Sequence, residues 1–280
     1  MPSPEETTPF GLYLSNLLGR RTGGLPGILN DLYGLHVELQ AARSVDAAST
    51  VILRISSTMD EEMTRVREAL GGGVTPFSTL RGYFLEEVAL TVAKLTIRPL
   101  DPGIVVRKFS TGDGVITGLS LRYGRGGLPV PTDMRFRKDR EDVILGFPRD
   151  LRLTDPSAEG ELTLANQLVP LCVIACKIYI DATRLENVLA KARSILPSYA
   201  GASFFVLAEW DALGAVWHGA AGEILDALHA PVERLIFLRK GQRPDNKVLR
   251  QESIAHPYRR DQLMALSDRI SRAYQNWSAA

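Results

Sequence analysis

The sequence predicts an α/β fold in which a mixed β-sheet is flanked by helices and preceded by a helical N-terminal region. Amphipathic helical patterns dominate the first hundred residues, whereas apolar strand-like runs alternate with helical patterns afterwards. A strand–helix–strand unit over residues 171–209 implies a parallel pair with a right-handed crossover. The strands before this unit look hairpin-like, and the sheet is therefore expected to be mixed.

Helical patterns fill the N-terminal part of the chain. Residues 28–42 repeat leucine at helical spacing, and residues 60–70 begin with acids and stop at three glycines, 71–73. Another helix is predicted over residues 82–97. Further along, Asp181 is a suitable N-cap for a helix that runs to Leu196. Short apolar patterns predict the last two helices, over residues 224–229 and 261–274.

Strands are indicated by short apolar runs between turn signals. They are expected over residues 104–109, 115–123, 143–147, 171–177, 203–209 and 234–239. The turn Gly112-Asp113-Gly114 predicts a hairpin between the first two strands. Residues 124–131 are predicted to be a loop, residues 135–142 a charged segment, and residues 154–167 a polar connection.

Composition excludes several classes of protein. The chain has 280 residues, 45% hydrophobic content and a formal charge of +1, which suits one large domain or one core with an added lobe. A run of about 18 apolar residues is absent and the first residues lack a signal-peptide pattern, so we expect a cytoplasmic protein without a membrane partner. Cys172 and Cys176 would lie roughly 13 Å apart on a strand, beyond the roughly 7 Å limit for a disulfide. We expect both to be reduced core residues.

Lys177 closes an apolar strand, although lysines are rarely buried without a partner. Strand alternation places Leu171, Val173, Ala175 and Lys177 on one face. Asp142 heads a short apolar strand, and pairing of the two strands would bring Asp142 beside Ala175 and Lys177. A lysine that simply reaches solvent is the plain alternative.

An acid at the head of one strand, followed on the next by acid–any residue–lysine, is typical of magnesium-dependent nucleases. The run at residues 175–181, Ala-Cys-Lys-Ile-Tyr-Ile-Asp, resembles the PD-(D/E)XK nuclease superfamily, as do Gly-Tyr-Phe-Leu-Glu at 82–86 and Phe-Leu-Arg-Lys at 237–240. More narrowly, it is similar to type II restriction endonucleases whose core strand ends in Glu-Cys-Lys. The resemblance covers roughly residues 82–240. It implies a restriction-endonuclease-like fold and Mg²⁺-dependent hydrolysis of double-stranded DNA at specific sites.

The resemblance also implies roles for individual residues. Asp142 matches the metal-binding aspartate and Lys177 the catalytic lysine, and the carbonyl of Cys176 is expected to be a further metal ligand. Glu86 matches a supporting acid on the helix, with an ordinary solvated glutamate as the alternative. Asp139 is an alternative to Asp142, which is favoured because it directly adjoins the apolar strand.

Ala175 departs from the pattern, because the family has glutamate at this position. A methyl group cannot bind a metal. Position 175 is therefore part of the expected catalytic and metal site but supplies no ligand to it. Two explanations stay open. The alanine is either an engineered replacement that allows DNA to be bound uncut, or a natural residue of a subunit that binds but does not cut.

The remaining expectations concern DNA and partners. Basic side chains are needed to neutralise phosphates, and the candidates are Arg122, Arg125, Arg135, Arg137, Lys138 and Arg140. Residues 1–80 are expected to form a helical region for DNA recognition or dimerisation, and residues 81–280 the nuclease core. One site per chain implies a homodimer or a related second subunit. A naturally inactive DNA-binding subunit and a repair or junction nuclease are alternative functions.

Overall fold

The computed structural model describes residues 8–19, 27–108, 115–123, 129–139, 142–154, 161–199, 201–213 and 232–279. Among these residues, the helices before the first strand are α1 (Pro9–Gly19), α2 (Gly27–Ala41), α3 (Val45–Glu61), α4 (Met63–Ala69) and α5 (Val74–Ile97). Ser44 caps α3 by accepting a hydrogen bond from the Ala47 amide at 3.2 Å. Gly71 and Gly72 adopt positive φ angles after α4, so the glycine run ends a helix as predicted.

Two predicted helix starts are wrong. Asp60, expected to begin a helix, lies in the last turn of α3 and is buried. The predicted start at Gly82 lies inside α5, which begins earlier, at Val74. A Cβ atom at Gly82 would lie 4.0 Å from Ile178 Cδ1, so this glycine stands where the helix packs on a strand. Tertiary packing therefore extends the helix through a residue that, in isolation, weakens helices.

The strands of the described chain are β1 (Val105–Lys108), β2 (Val115–Tyr123), β3 (Pro129–Asp139), β4 (Val143–Thr154), β5 (Glu161–Ile180), β6 (Ser203–Asp211) and β7 (Val232–Phe237). One sheet has the order β1-β4-β5-β6-β7, and β2 and β3 form a separate pair. β1, β4 and β5 are antiparallel neighbours, whereas β5, β6 and β7 are parallel. The predicted mixed sheet and the parallel pair β5–β6 are confirmed.

The predicted connections between the early strands are wrong. β1 pairs with β4 and β2 pairs with β3, so the expected hairpin between the first two strands does not form, and its turn at 112–114 lies outside the described residues. Residues 129–131 of the expected loop and residues 135–139 of the expected charged segment belong to β3. The polar stretch 154–167 is mainly strand, because β4 and β5 form a long hairpin in which Thr154 pairs with Glu161. Its leucines alternate with polar residues, which is the pattern of a strand with one exposed face.

Two hydrophobic clusters lie on opposite faces of β5. Cys172, Ile174 and Cys176 belong to the larger cluster, which the N-terminal helices and the last helix cover. Val173 and Ala175 belong to the smaller cluster, which is shared with the helix after β5. This alternation agrees with the sequence prediction, and both cysteines are free and buried.

Leu171 is the exception to the predicted alternation, because it joins the larger cluster. The pairing of β4 with β5 shifts at this point: Leu145 stands opposite Cys172 and Gly146 opposite Pro170. Leu171 is therefore the extra residue of a β-bulge, and a bulge changes the face on which a side chain lies.

The C-terminal half supplies three further helices: α6 (Ala182–Ile195), α7 (Leu249–Ala255) and α8 (Arg260–Ala279). Asp181 caps α6 as predicted, since its Oδ1 accepts a hydrogen bond from the Arg184 amide at 2.8 Å. The helix expected over residues 224–229 lies outside the described residues. No helix of the described residues is long and apolar enough to cross a membrane.

The expected division of the chain at residue 80 falls within α5. The larger hydrophobic cluster includes residues from Phe10 to Ala273, so both sides of this boundary contribute to one core. The division into residues 1–80 and 81–280 stays a prediction.

Candidate active site

Asp142 and Lys177 meet at one end of the central strands. β4 and β5 are antiparallel neighbours in a register that puts Asp142, which precedes β4, beside Ala175. Asp142 Oδ2 accepts a hydrogen bond from the Cys176 amide at 2.6 Å and lies 3.1 Å from Lys177 Nζ. The structure thus brings together an acid and a lysine that are far apart in sequence.

The Lys177 ammonium lies between two oxygen atoms. Besides the Asp142 carboxylate, it contacts the carbonyl oxygen of Cys176 at 3.0 Å. The side chains of Lys177 and Asp142 are 28% and 26% exposed, so the pair is accessible from solvent. A carboxylate and a carbonyl oxygen that face the same positive charge are arranged as two ligands of one cation would be.

Glu86, on α5, lies close to this pair and forms an ion pair with Lys108 at the end of β1. Burial raises the pKa of Glu86, the hydrogen bond from Lys108 opposes this change, and the charge of Asp142 adds to it. Lys108 Nζ also lies 4.7 Å from the centre of the Tyr83 ring. Lys108 is absent from the active site predicted from the sequence, although it is the last residue of β1.

The oxygen atoms of Asp142 and Cys176 suit a hard cation such as Mg²⁺. Ala175 adds no ligand, because it is fully buried and its methyl group packs in the smaller cluster. Within the described ranges, no group of three or more His, Cys, Asp or Glu residues could hold a metal ion. Mg²⁺ often keeps several waters and binds one or two carboxylates plus substrate phosphates. The residues present therefore fit this ion if water and a phosphate complete its shell.

The predicted DNA-contact residues are placed only in part. Those in the described chain lie on the separate strand pair, Arg122 on β2 and Arg135, Arg137 and Lys138 on β3. The backbones of both strands approach α6. Arg125 and Arg140 lie outside the described residues. Contact of these residues with DNA stays a prediction.

Asp139, the alternative to Asp142, occupies a different position in the fold. It is the last residue of β3 and stands opposite Val115 in the separate pair. Asp142 instead adjoins β5 through its hydrogen bond with Cys176. The geometry therefore favours Asp142 as the acid beside Lys177, while its role in metal binding stays a prediction.

A second group of charged side chains lies deep in the protein and is absent from the sequence-based site. Arg81 and Arg239 both form ion pairs with Glu209 and with Asp60. All four side chains are at most 4% exposed. Burial and the charge of Arg239 lower the pKa of Arg81 to about 10, against the attraction of Asp60. The available signal was a charge within an apolar strand, since Glu209 lies in the run Ser-Phe-Phe-Val-Leu-Ala-Glu-Trp.

Comparisons with known proteins bear on the fold of this chain. No protein-family model matches the chain, and no curated protein matches it. A solved low-resolution structure of the native A2B2 tetramer of the restriction enzyme BbvCI is similar, with a TM-score of 0.56 and 13% sequence identity. The match covers 94% of this chain and 96% of the BbvCI chain. At this identity the likeness establishes the fold, and the chain has a restriction-endonuclease-like α/β fold.

Proposed function

We propose that this chain is a site-specific endonuclease of the type II restriction kind, built to hydrolyse double-stranded DNA with Mg²⁺. The observation that carries the proposal is the meeting of Asp142 Oδ2 and Lys177 Nζ, 3.1 Å apart, at the end of two core strands. The resemblance to the PD-(D/E)XK superfamily requires an acid and a lysine in this relation. The restriction-endonuclease-like fold supports the same proposal.

In the proposed mechanism, Asp142 and the Cys176 carbonyl would hold Mg²⁺, which when bound would neutralise charge on the phosphate and lower the pKa of a water molecule. Lys177 donates hydrogen bonds from its ammonium, and it orients the attacking water or stabilises the charge that develops on the phosphate. Its contacts with Asp142 and Cys176 hold Nζ at the site before DNA arrives. Glu86 acts indirectly, because its ion pair with Lys108 fixes a second cation at the same end of the sheet.

Ala175 leads us to propose that this chain binds DNA but cuts it poorly. The basic residues needed for phosphate neutralisation are all present, so binding should weaken with salt in the usual way. Loss of one charge-stabilising group commonly reduces a rate by about a hundred- to a thousandfold, and loss of a metal ligand should reduce it at least as much. Whether the alanine is engineered or natural does not change this expectation.

A naturally inactive DNA-binding subunit is the second candidate function. The fully buried Ala175 methyl favours it, because it fits its hydrophobic surroundings without strain. BbvCI is described as an A2B2 tetramer, an assembly with two kinds of chain, which supports a role for a second subunit here. A repair or junction nuclease on the same fold is a third candidate, separated from the first by whether plasmid DNA is cut into discrete bands.

Restoration of the missing carboxylate tests the main proposal. Ala175→Glu should confer Mg²⁺-dependent cleavage of plasmid DNA, and Lys177→Ala on that background should abolish it. Lys191→Ala, which removes a lysine from α6, is the matched control and should leave cleavage unchanged. An Ala175→Glu protein that unfolds cooperatively and binds DNA but never cuts would favour the inactive subunit.

Assembly is tested separately. Cutting both strands with one site per chain calls for two chains, so we propose a homodimer or a pairing with a related subunit. Sedimentation velocity with a DNA duplex should give the mass of two chains on one duplex. A chain that stays monomeric with and without its DNA site would contradict the homodimer, and addition of a second subunit would then test the heteromeric form.

A further inference from the structure

A cavity of about 310 Å³ lies at the C-terminal ends of β5 and β6. Its walls come from α4, the first turns of α5, these strand ends, the first turn of α6, the start of α7 and the segment between β7 and α7. The side chains used below are Arg67, Phe77, Tyr179, Arg184, Trp210 and Arg243. Tyr179 follows Lys177 by two residues on β5, or about 6.6 Å along the strand.

Two arginines form cation–π contacts with the Tyr179 ring. The guanidinium carbons of Arg184 and Arg243 lie 3.8 Å and 3.7 Å from the ring centre. Arg184 is neutralised by an ion pair with Asp181. Two guanidinium groups so close to one ring repel each other unless negative charge lies nearby. Of these two arginines, Asp181 forms an ion pair with Arg184.

Arg243 and Arg67 therefore carry the excess charge of the cavity. Neither has a carboxylate within ion-pair distance in the described part of the chain. Arg67 lies 5.2 Å from the Phe77 ring centre, and its buried Nε has no hydrogen-bond acceptor among the described residues. Arg243 makes one long contact, 3.5 Å to the Asn246 side chain. These two cations differ from Arg81, which also lines the cavity but is neutralised by Glu209.

The remaining walls add hydrogen-bond donors and aromatic surface. Trp210 is 1% exposed, and its indole N–H, which can only donate, has no acceptor among the described residues. No acid is among the described residues that line the cavity. Arginines pair well with phosphate oxygens, and their flat guanidinium groups also stack on bases. Cavities that hold small molecules start at about 300 Å³, so one nucleotide is of suitable size.

We propose that this cavity binds one nucleotide of the DNA strand, through its phosphate, next to the phosphate at Asp142 and Lys177. The inference rests on the proposed function, because it assigns a neighbouring subsite to the same DNA strand. Arg243 and Arg67 pair with the phosphate oxygens, and the aromatic walls contact the sugar or base. A free nucleotide would offer the same chemistry, and the test separates these two sources.

The first arm of the test measures DNA affinity. Arg243→Gln and Arg67→Gln are compared with Arg260→Gln, which removes an exposed arginine paired with Asp46 on another face. Fluorescence anisotropy with a duplex, without divalent ions, is recorded from low to moderate salt. Loss of one phosphate contact should weaken binding and reduce the slope of log K against log salt by about 1. The control should keep the slope, and unchanged slopes in both cavity variants overturn the proposal.

The second arm uses deoxynucleoside 5′-monophosphates as the probe. The indole N–H resonance of Trp210, assigned by its loss in Trp210→Phe, should shift on titration with the wild-type chain and should not shift in Arg243→Gln. Inorganic phosphate should shift it less, because it lacks the sugar and base. A shift with monophosphates together with unchanged DNA slopes would mean a free-nucleotide site and would overturn the DNA assignment.

The outcomes also separate this proposal from the proposed function. If Ala175→Glu never cuts but Arg243→Gln lowers the salt slope, the subsite stands and the endonuclease assignment fails. If Ala175→Glu cleaves DNA and neither cavity variant changes the salt slope, only the subsite proposal fails. Arg67 and Arg243 are only partly buried, so we expect their variants to stay folded. Thermal unfolding of each variant checks this, and a changed slope in a folded variant then reports a lost contact with DNA.

Discussion

The part-buried pair Asp142–Lys177 and the fully buried network around Arg239 lie on the same sheet but differ in their access to solvent. Arg239 is 1% exposed on its side chain. Its guanidinium donates to Glu209, Asp60, the Ser56 hydroxyl and the carbonyls of Ser253 and His256. These five hydrogen bonds use all five donors of an arginine. Lys177 instead contacts Asp142 and the Cys176 carbonyl, and its side chain is 28% exposed.

This difference distinguishes a structural charge from one available for chemistry. Lys177 and Glu209 look alike in the sequence, since each interrupts or ends an apolar strand. A saturated and buried group cannot accept a ligand without losing the bonds that hold it. A solvent-accessible pair can exchange its contacts for water, phosphate or a metal ion. Exposure, rather than residue type, separates the two cases.

The largest effect is expected from Arg239→Ala. It leaves Glu209 and Asp60 buried with only Arg81 as a cationic partner, and breaking such a network costs about 3–5 kcal/mol. For a chain of this size the melting temperature should fall by roughly 10 °C, at about 2–4 °C per kcal/mol. Urea or thermal denaturation measures this loss.

Arg260→Ala is the matched control for that experiment. Its ion pair with Asp46 has side chains 48% and 67% exposed, and exposed pairs contribute only up to about 1 kcal/mol. Equal destabilisation by Arg239→Ala and Arg260→Ala would mean that the buried carboxylates are satisfied in another way, and the contrast between network and surface would be lost.

The opposite response is expected from Asp142→Asn. The variant keeps an acceptor for the Cys176 amide, and Lys177 can reach solvent, so the free energy of unfolding should change by less than about 1 kcal/mol. On the Ala175→Glu background, plasmid cleavage should fall by at least about a hundredfold. We also expect Ca²⁺, which takes oxygen ligands, to raise DNA affinity through Asp142, and this increase should be smaller in the variant, which gives a readout independent of cleavage.

Asp46→Asn, at an exposed surface pair, is the control for Asp142→Asn and should affect neither measurement. An Asp142→Asn protein that unfolds at much lower denaturant concentration but cleaves normally would make Asp142 a structural residue like Glu209. Asp139 would then be the acid to test next.

Much of this architecture was predictable because local patterns carry it. The parallel pair β5–β6, the Asp181 cap and the stop at Gly71 follow from alternation, capping chemistry and glycine conformation. The pairing of β1 with β4 was not predictable, because it joins distant segments while the glycine turn favours a local hairpin. The bulge at Leu171 depends on strand register, which short sequence windows do not determine.

The candidate site was predictable to a similar degree. Asp142 and Lys177 could be paired because both adjoin apolar strands. Lys108 and Arg243 could not, since the first is brought to Glu86 by an unexpected strand partner and the second lies in an irregular segment after β7. Nothing in the sequence distinguishes Glu209 from a catalytic acid. That distinction needs the helices that bury it.

A further effect is expected at Glu87, a case between the two extremes. Glu87 is as buried as Glu209, with a fully buried side chain, but among the described residues no arginine pairs with it. Its carboxylate accepts a hydrogen bond from Gln40 at 2.5 Å and lies 3.9 Å from His36 Nδ1. Burial raises the pKa of Glu87 to about 7 and lowers the pKa of His36 to about 4.

The sign of the pH dependence follows from the raised pKa of Glu87. The folded chain holds this proton more tightly than the unfolded chain, whose glutamate pKa is about 4.3, so the stabilisation is complete below that value and is lost as pH rises through about 7. Glu87→Gln stays neutral and keeps an acceptor for Gln40. It should therefore match the wild type near pH 4 and exceed its stability at pH 8.5, by at most about 4 kcal/mol. Urea unfolding at both pH values measures the difference in the free energy of unfolding between the two proteins. The lowered pKa of His36 has the opposite effect on stability below pH 6.5, and this effect largely cancels because His36 titrates in both proteins. If the free energies of unfolding of the wild type and of Glu87→Gln changed with pH in the same way, Glu87 would be ionised in the folded chain at neutral pH. Its carboxylate would then be stabilised by its partners as fully as that of Glu209.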